Sequence, residues 1–233
     1  MPWGFFLDRW YVLLVIPALL ISAWAQISVQ TTFKKYSRVM TGRGLTGAAA
    51  SQLIQKQNGI SVPIEPTNGS LTDHFDPRGN VIRLSEPVYA VSSVAAVGVA
   101  AHETGHALQY AKGYAMIRVR NAIIPVTRIG STLSPYLVFF GLIFSFYPLA
   151  YLGIAFFCLA VLFQLLTLPV EFNASARALR ALSSGGMMTK EELNGAKKVL
   201  TAAAMTYVAA LFVSLMSLLR LILIVAGRGR QNR

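Results

Sequence analysis

Five consecutive residues, His102, Glu103, Thr104, Gly105 and His106, put two imidazoles and a carboxylate at a spacing that a helix converts into a metal site. Residues i and i+4 stand one above the other on a single helical face, so both rings reach one ion. Glu103, next to the first ring, is placed to take a proton from a water attacking a peptide carbonyl. The chemistry this predicts is zinc-assisted hydrolysis. The competing reading is a hydrogen-bonded pair of core histidines. Against it, two of only three histidines in the chain make the pattern. Residues 90–101 before it are small apolar and hydroxyl side chains that suit a closely packed, buried helix. A carboxylate in such a setting is costly unless something such as a cation compensates it, and a metal is the simplest compensation.

The elements that position these groups belong to a membrane protein. Hydrophobic residues make up 55% of 233, and the mean hydropathy is +0.54, well above soluble usage. Against 9 Asp and Glu stand 21 Lys and Arg, a formal net charge of +12. With no interleaved basic and aromatic stripe, that excess excludes nucleic acid as the expected partner and points to topology and to anionic lipid headgroups. The single Cys158 lies in an apolar run and allows no internal disulfide. The N-terminal apolar stretch follows a non-basic segment and carries Trp10, Tyr11 and Trp24 as interfacial anchors, so it is expected to be a retained span.

Four apolar stretches, residues 10–29, 133–147, 149–170 and 204–226, approach the roughly 20 residues that cross a bilayer. The second and third are expected to form a hairpin around Pro148, which returns the chain after residue 170 to the face it left before 133. The division is then a first span (1–30), a catalytic domain with the motif helix (31–132), a transmembrane hairpin (133–170), a second catalytic segment with the third zinc ligand (171–203), and a fourth span with a basic tail (204–233). Sixteen Lys and Arg residues, among them Lys34, Lys35, Arg38, Arg118, Arg120 and Arg177, fall on the face of the polar segments. Arg9, Arg228, Arg230 and Arg233 fall on the other. The positive-inside tendency places the catalytic domain in the cytoplasm and both termini outside.

Within the first polar segment the spacing predicts a helix over 45–57, ended by Asn58 and Gly59. Three short extended pieces follow at 60–65, 70–75 and 80–84, separated by Asn68-Gly69 and by the turn 76–80. A helix from about Pro87 to Tyr110 then carries the motif, with Gly113 just past its end. The piece over 80–84 is expected to lie at the cleft and pair with an extended substrate. In the second polar segment, residues 171–182 read as a helix stopped by Gly185 and Gly186. Thr189 and Glu192 fit a capping box that restarts a helix running into the fourth span. The fold class is mainly α, about four transmembrane helices with a small α+β catalytic domain and a short three-stranded sheet.

A catalytic zinc needs a third protein ligand and an open position, and the acidic residues are few enough to search. Asp8 is on the wrong face. Glu65, Asp73, Asp76 and Glu86 belong to the sheet and its turns, and Glu191 and Glu192 to the cap. Glu171 remains, at the end of an apolar span that the hairpin returns to the His102 face. It could instead pair with Arg177 or snorkel to water. Ser175, one turn on, is placed to hydrogen-bond a ligand imidazole. His74 sits in a polar turn with Asp73 and Asp76, where it either stabilises the turn or donates a hydrogen bond in the transition state.

The blocks 71–78 (Leu-Thr-Asp-His-Phe-Asp-Pro-Arg), 84–89 (Leu-Ser-Glu-Pro-Val-Tyr), 100–107 around the zinc motif and 169–175 (Pro-Val-Glu-Phe-Asn-Ala-Ser) resemble the YugP-type neutral zinc metallopeptidases of bacterial membranes, over nearly the whole chain. The resemblance implies an integral membrane, gluzincin-like peptidase with His102, His106 and Glu171 as zinc ligands and Glu103 as catalyst. A wider similarity to the HtpX and CAAX prenyl protease clan rests on its Glu-aromatic-x-Ala-Asp block. This chain departs from that block, with Ser175 at the Asp position and Asn173 where Asp is expected in close relatives.

The mechanism expected is hydrolysis of a peptide bond at the membrane surface. The substrate is a peptide or membrane protein, and lipid and other membrane proteins are the surroundings. Two rivals are an intramembrane protease, with the motif helix in the bilayer, and a non-enzymatic scaffold that keeps zinc for structure. Residues 88–101 are too rich in Ala, Ser and Gly to make a convincing span.

Overall fold

The computed structural model describes residues 8–231, and side chains as far as residue 227. Residues 1–7 and the side chains of Arg228, Arg230 and Arg233, which bear on the retained span and the charge asymmetry, lie outside the described residues. The chain divides into two compact units. The first draws on Met1–Ala25, Arg118–Leu168 and Thr206–Arg233, the second on Gln26–Ile117 and Pro169–Met205.

Four helices are long and apolar enough to cross a membrane, Tyr11–Tyr36, Ala115–Ile143, Tyr147–Ser184 and Lys190–Gly227, matching the four predicted stretches in number. The first is a π-helical turn, Tyr11–Val15, continued by α1 (Ile16–Tyr36). The others are α5 (Ala115–Ile143), α6 (Tyr147–Ser184) and α7 (Lys190–Gln231). The largest difference lies in α5, predicted to begin at 133 and beginning at Ala115, with Arg118, Arg120, Pro125, Arg128 and Pro135 inside it. Hydropathy marks where a span becomes apolar, whereas the helix starts where backbone hydrogen bonding starts. Each proline deletes one N–H donor and leaves the rest of the ladder in place. Likewise α6 runs through Pro169 without a break, so the third span and the segment carrying Glu171 are one helix.

The first unit contains the expected hairpin of α5 and α6. A Cβ added at Gly141 would stand 2.5 Å from the Ala150 nitrogen, and one at Gly153 2.8 Å from the Val138 nitrogen, so the two backbones meet only because these positions are glycine. Ser134 Oγ donates across the pair to the Gly153 carbonyl at 2.7 Å. Val138, Leu142 and Ala150 of the hairpin share a core with Leu221, Ile224 and Val225 of α7. Asp8 joins this unit at its polar edge. Its Oδ1 accepts from the backbone N–H of Trp10 and Tyr11 at 2.9 and 3.0 Å, and its Oδ2 accepts from Arg220 Nε and Nη2 at 2.8 and 2.6 Å. Arg220 sits inside the fourth apolar stretch, away from the polar segments of the sequence. The sequence names both residues but does not pair them.

The second unit is built around α4 (Val94–Ala111), the motif helix. Before it come α2 (Gly47–Asn58), a sheet of β1 (Ile64–Thr67), β2 (His74–Asp76) and β3 (Val81–Ser85), and the single turn α3 (Glu86–Tyr89). The three strands fall within a few residues of the predicted pieces. Thr46 caps α2, its Oγ1 accepting from Ala49 N at 3.2 Å, which sets the start two residues later than predicted. The single helix predicted from Pro87 to Tyr110 is two. Ser92 and Val94 give their backbone to Thr41 and Val39 (Thr41 N to Ser92 O and Val94 N to Val39 O, both 2.8 Å), and Ser93 caps a fresh helix through Ala96 N at 3.1 Å. That pairing takes the backbone groups a continuous helix would need.

The sheet order is β1-β3-β2, with β1 parallel and β2 antiparallel to β3. This corrects the placement of the 80–84 piece. β3 is the central strand, both of its edges are taken, and it has no free edge for a substrate. The strand facing α4 from the outside of the sheet is β2. Central position also explains why Val81, Ile82, Leu84 and Ser85 are all buried while β1 and β2 are largely open.

Two apolar clusters wrap α4. One joins Ala95, Ala96, Ala100 and Ala107 to Phe33, Phe75, Ile82, Leu84 and Val88. The other joins Val97, Ala101 and Leu108 to Ile54, Ala178, Leu182 and Leu200. The small residues before the motif are what let elements pack on opposite sides of this helix. A polar tie adds register, as Thr104 Oγ1 donates to Ala100 O at 2.7 Å and lies 2.7 Å from Ser51 Oγ of α2. The predicted capping box is present: Thr189 N donates to Glu192 Oε2 at 2.8 Å, and Glu192 N to Thr189 Oγ1 at 3.2 Å. Glu192 Oε1 also accepts from Gly42 N at 2.6 Å, tying the start of α7 to the segment after α1.

Candidate metal centre

The i, i+4 spacing on α4 does what helix geometry requires, bringing the rings of His102 and His106 to a centroid separation of 4.8 Å with planes at 85°. The third side chain comes from α6. Glu171 Oε2 lies 3.4 Å from His102 Nε2 and 3.5 Å from His106 Nε2. One ligand atom from each residue falls within 4.8 Å of the other two, in the one such His, Cys, Asp and Glu group found among the described residues. Glu171 is 3% exposed. Arg177, the alternative partner weighed for it, directs Nε to Asn173 Oδ1 at 2.7 Å.

A close approach of two backbones makes this meeting possible. A Cβ at Gly105 would stand 2.6 Å from the carbonyl oxygen of Ala174 and 3.1 Å from its carbonyl carbon. Gly105 is thus the contact point of α4 on α6, one residue before His106, and Ala174 is three residues after Glu171. The same contact sets Ser175 Oγ 3.1 Å from His102 Nδ1. Ser175 therefore lies behind the His102 imidazole.

Glu103 is 9% exposed, and its Oε2 accepts from the backbone N–H of Phe75 in β2 at 3.0 Å. An outer-strand amide thus holds the carboxylate on α4, a tie with no signature in side-chain types. Phase of the strand matters here: Phe75 N–H points away from β3, and the Phe75 ring turns inward onto Tyr110, with centroids 5.1 Å apart. Asp73 fixes the same strand, its Oδ1 accepting from Ser85 N at 2.7 Å and its Oδ1 and Oδ2 from Ser85 Oγ at 3.0 and 2.9 Å. Burial raises the Asp73 pKa above the ordinary value, the Ser85 hydrogen bonds oppose that, and the charge of Glu103 adds to it.

The remaining polar residues of the sheet are not brought to the centre. Asp76 bonds Arg83 Nη1 at 2.9 Å, and that bond with the backbone amides of Arg78 and Gly79 holds its carboxyl below the usual range. His74 is exposed, with Nδ1 2.8 Å from the Thr72 carbonyl oxygen, a contact within its own turn.

Two imidazole nitrogens and one carboxylate oxygen form a borderline-hard donor set, the kind that suits zinc and leaves a position for a fourth ligand. The electrostatics fit a cation. Burial alone disfavours the charged form of His106, yet the hydrogen bond its ring gives to Glu171, the charges of Glu103 and Glu171 and the bond to Gln109 together raise its pKa. The carboxylate charges of Glu103 and Glu171 thus act on the His106 ring.

Fold and centre together define a membrane protein with a His, His, Glu group that could hold a metal ion, and the chain belongs to the family described as "Putative neutral zinc metallopeptidase", whose model matches residues 11–226. A curated relative, "Putative membrane protease YugP" of Bacillus subtilis (strain 168), is 48% identical over 223 residues, covering 95% of this chain and 99% of that one. No solved structure matches the chain.

The sequence reading missed Gln109, which is buried and contacts His106, and it missed Phe75 as the partner of Glu103. Gln109 carried a faint signal: it lies three residues after His106, on the same helical face, and a long polar side chain there needs a partner. Phe75 carried none, since only its backbone is used.

Proposed function

We propose that this protein is an integral membrane zinc endopeptidase whose centre lies at the membrane surface, with His102, His106 and Glu171 as ligands and Glu103 as general base. The observation that carries the reading is the convergence of Glu171, from the end of an apolar helix, on the two Nε2 atoms of the motif. Zinc, when bound there, supplies Lewis acidity, lowering the pKa of a water and polarising a carbonyl. Glu103 accepts a proton from the attacking water and passes it to the leaving amine, and the Phe75 amide orients the carboxylate for that exchange. Ser175 orients His102 through Nδ1.

The substrate class is a peptide or membrane-protein segment in extended form. β3 is enclosed on both sides, so such a segment does not pair with it. A site outside the bilayer core is supported by α4 itself, which is not among the four membrane-length apolar helices and is packed on several sides by protein. The excess of Lys and Arg in the polar segments supports a cytoplasmic catalytic unit.

The test is proteolysis of an unfolded membrane-protein substrate by the purified full chain, with Glu103→Gln as control. Cleavage by the wild type and its loss in Glu103→Gln, with zinc content unchanged, is the expected result. Zinc retained without any cleavage by the wild type would favour the structural-zinc scaffold, and near-normal turnover in Glu103→Gln would move the base elsewhere.

A further inference from the structure

Behind the two ligand imidazoles lie two different kinds of partner. His102 Nδ1 meets a hydroxyl, Ser175 Oγ at 3.1 Å, which can either donate or accept. His106 Nδ1 meets Gln109 Oε1 at 3.0 Å. Gln109 is fully buried, and its Nε2 lies 2.8 Å from the Val170 carbonyl oxygen and 3.0 Å from Asn173 Oδ1.

The orientation of this carboxamide is dictated from outside. A backbone carbonyl only accepts, so the atom facing Val170 O must be the NH2 group. Asn173 is fixed the same way, because its Oδ1 also accepts from Arg177 Nε at 2.7 Å, and a guanidinium only donates. The chain therefore reads in one direction, from Arg177 to Asn173 and from Gln109 to both Asn173 and Val170. That leaves Gln109 Oε1 as an acceptor facing His106, which demands N–H at Nδ1 and, in the neutral ring that would ligate a metal, puts the lone pair on Nε2. Nε2 is the atom 3.5 Å from Glu171 Oε2.

We infer that Gln109 is a positioning residue of the metal centre: it fixes the tautomer of His106 and ties that ring to the turn of α6 that carries Glu171. The inference rests on the metallopeptidase reading above and deepens it. Ser175 adapts to whichever form His102 takes, whereas Gln109 imposes one. One side chain thus couples a ligand on α4 to the helix of the third ligand, since Val170 immediately precedes Glu171 and Asn173 is two residues beyond it.

The experiment measures zinc affinity by competition with a chromophoric chelator, and the visible spectrum of the cobalt-loaded protein, on the full chain in detergent. Gln109→Leu keeps the bulk and loses every hydrogen bond. Its zinc affinity should fall roughly ten- to a hundredfold, and its cobalt bands should shift at saturating metal. Gln109→Glu keeps an acceptor for Nδ1–H while losing the donor to α6. It should recover the wild-type cobalt bands and most of the affinity, at a lower melting temperature. A Gln109→Leu variant within twofold of wild type in affinity with unchanged bands, or Gln109→Glu as impaired as Gln109→Leu, would overturn the inference. If Gln109→Leu does not fold, Asn173→Leu, which frees one side of the carboxamide, should lower affinity severalfold, and unchanged affinity there refutes the proposal. His106→Ala distinguishes the levels: if it leaves zinc affinity intact, the metal reading itself fails, not only the role of Gln109.

Discussion

Replacing Gly105 by Ala tests whether the approach of α4 to α6 builds the metal centre. Helix propensity alone predicts a gain, because Ala is favoured over Gly by about 1 kcal/mol in a helix interior. Packing predicts the reverse. The new methyl would stand 2.6 Å from the Ala174 carbonyl oxygen, where ordinary contact begins near 3.4 Å, so the helices must part locally by about 0.8 Å. The obstacle is backbone, which cannot rotate away as a side chain could. Three hydrogen bonds cross this contact: Ser175 to His102 at 3.1 Å, and Gln109 to Val170 and Asn173 at 2.8 and 3.0 Å. Adding about 0.8 Å takes them past useful length, at about 1 kcal/mol each. With an overpacking penalty of about 1–3 kcal/mol, set against the propensity gain, the net loss is about 3–5 kcal/mol. Glu171 moves away from both imidazoles by the same displacement, so zinc affinity falls with stability. Thermal unfolding of the metal-free protein in detergent and chelator competition on the loaded one read the two effects separately. A Gly105→Ala variant that melts higher than wild type and binds zinc equally well would refute the reasoning, because the propensity term alone would then have acted.

Glu171→Ala should weaken zinc binding and abolish proteolysis together, as chelation should, while Glu103→Gln separates the two. Metal analysis and a cleavage assay on both variants check this, and full zinc content in Glu171→Ala would remove it from the ligand set. In the apolar unit, Asp8→Asn keeps an acceptor for the Trp10 and Tyr11 amides but leaves the Arg220 charge without its carboxylate. It should cost about 3 kcal/mol, and a second change, Arg220→Leu, should restore part of that, as thermal melts of the single and double variants will show.

What the sequence by itself determined is the placement of residues that depends on local spacing. Helical periodicity puts His102 and His106 on one face, and hydropathy counts four membrane-length helices whatever packs against them. The capping box at Thr189 and Glu192 is equally local, and it too was legible. Glu171 was reachable because the acidic residues are few and the hairpin has only one way to return. The tertiary structure decided what depends on approach between distant segments. It split the helix after Pro87, because Ser92 and Val94 pair with the segment at Val39 and Thr41. It put β3 rather than an outer strand at the centre of the sheet, since strand order is set by which faces can be buried together and not by order in the chain. It gave the Glu103 carboxylate to a backbone amide of Phe75, and the carboxamide of Gln109 to His106. Backbone donors carry no side-chain signature, and a buried amide reveals its partners only when two helices are close enough to share it. At Gly105 that closeness is allowed by the absence of a single carbon.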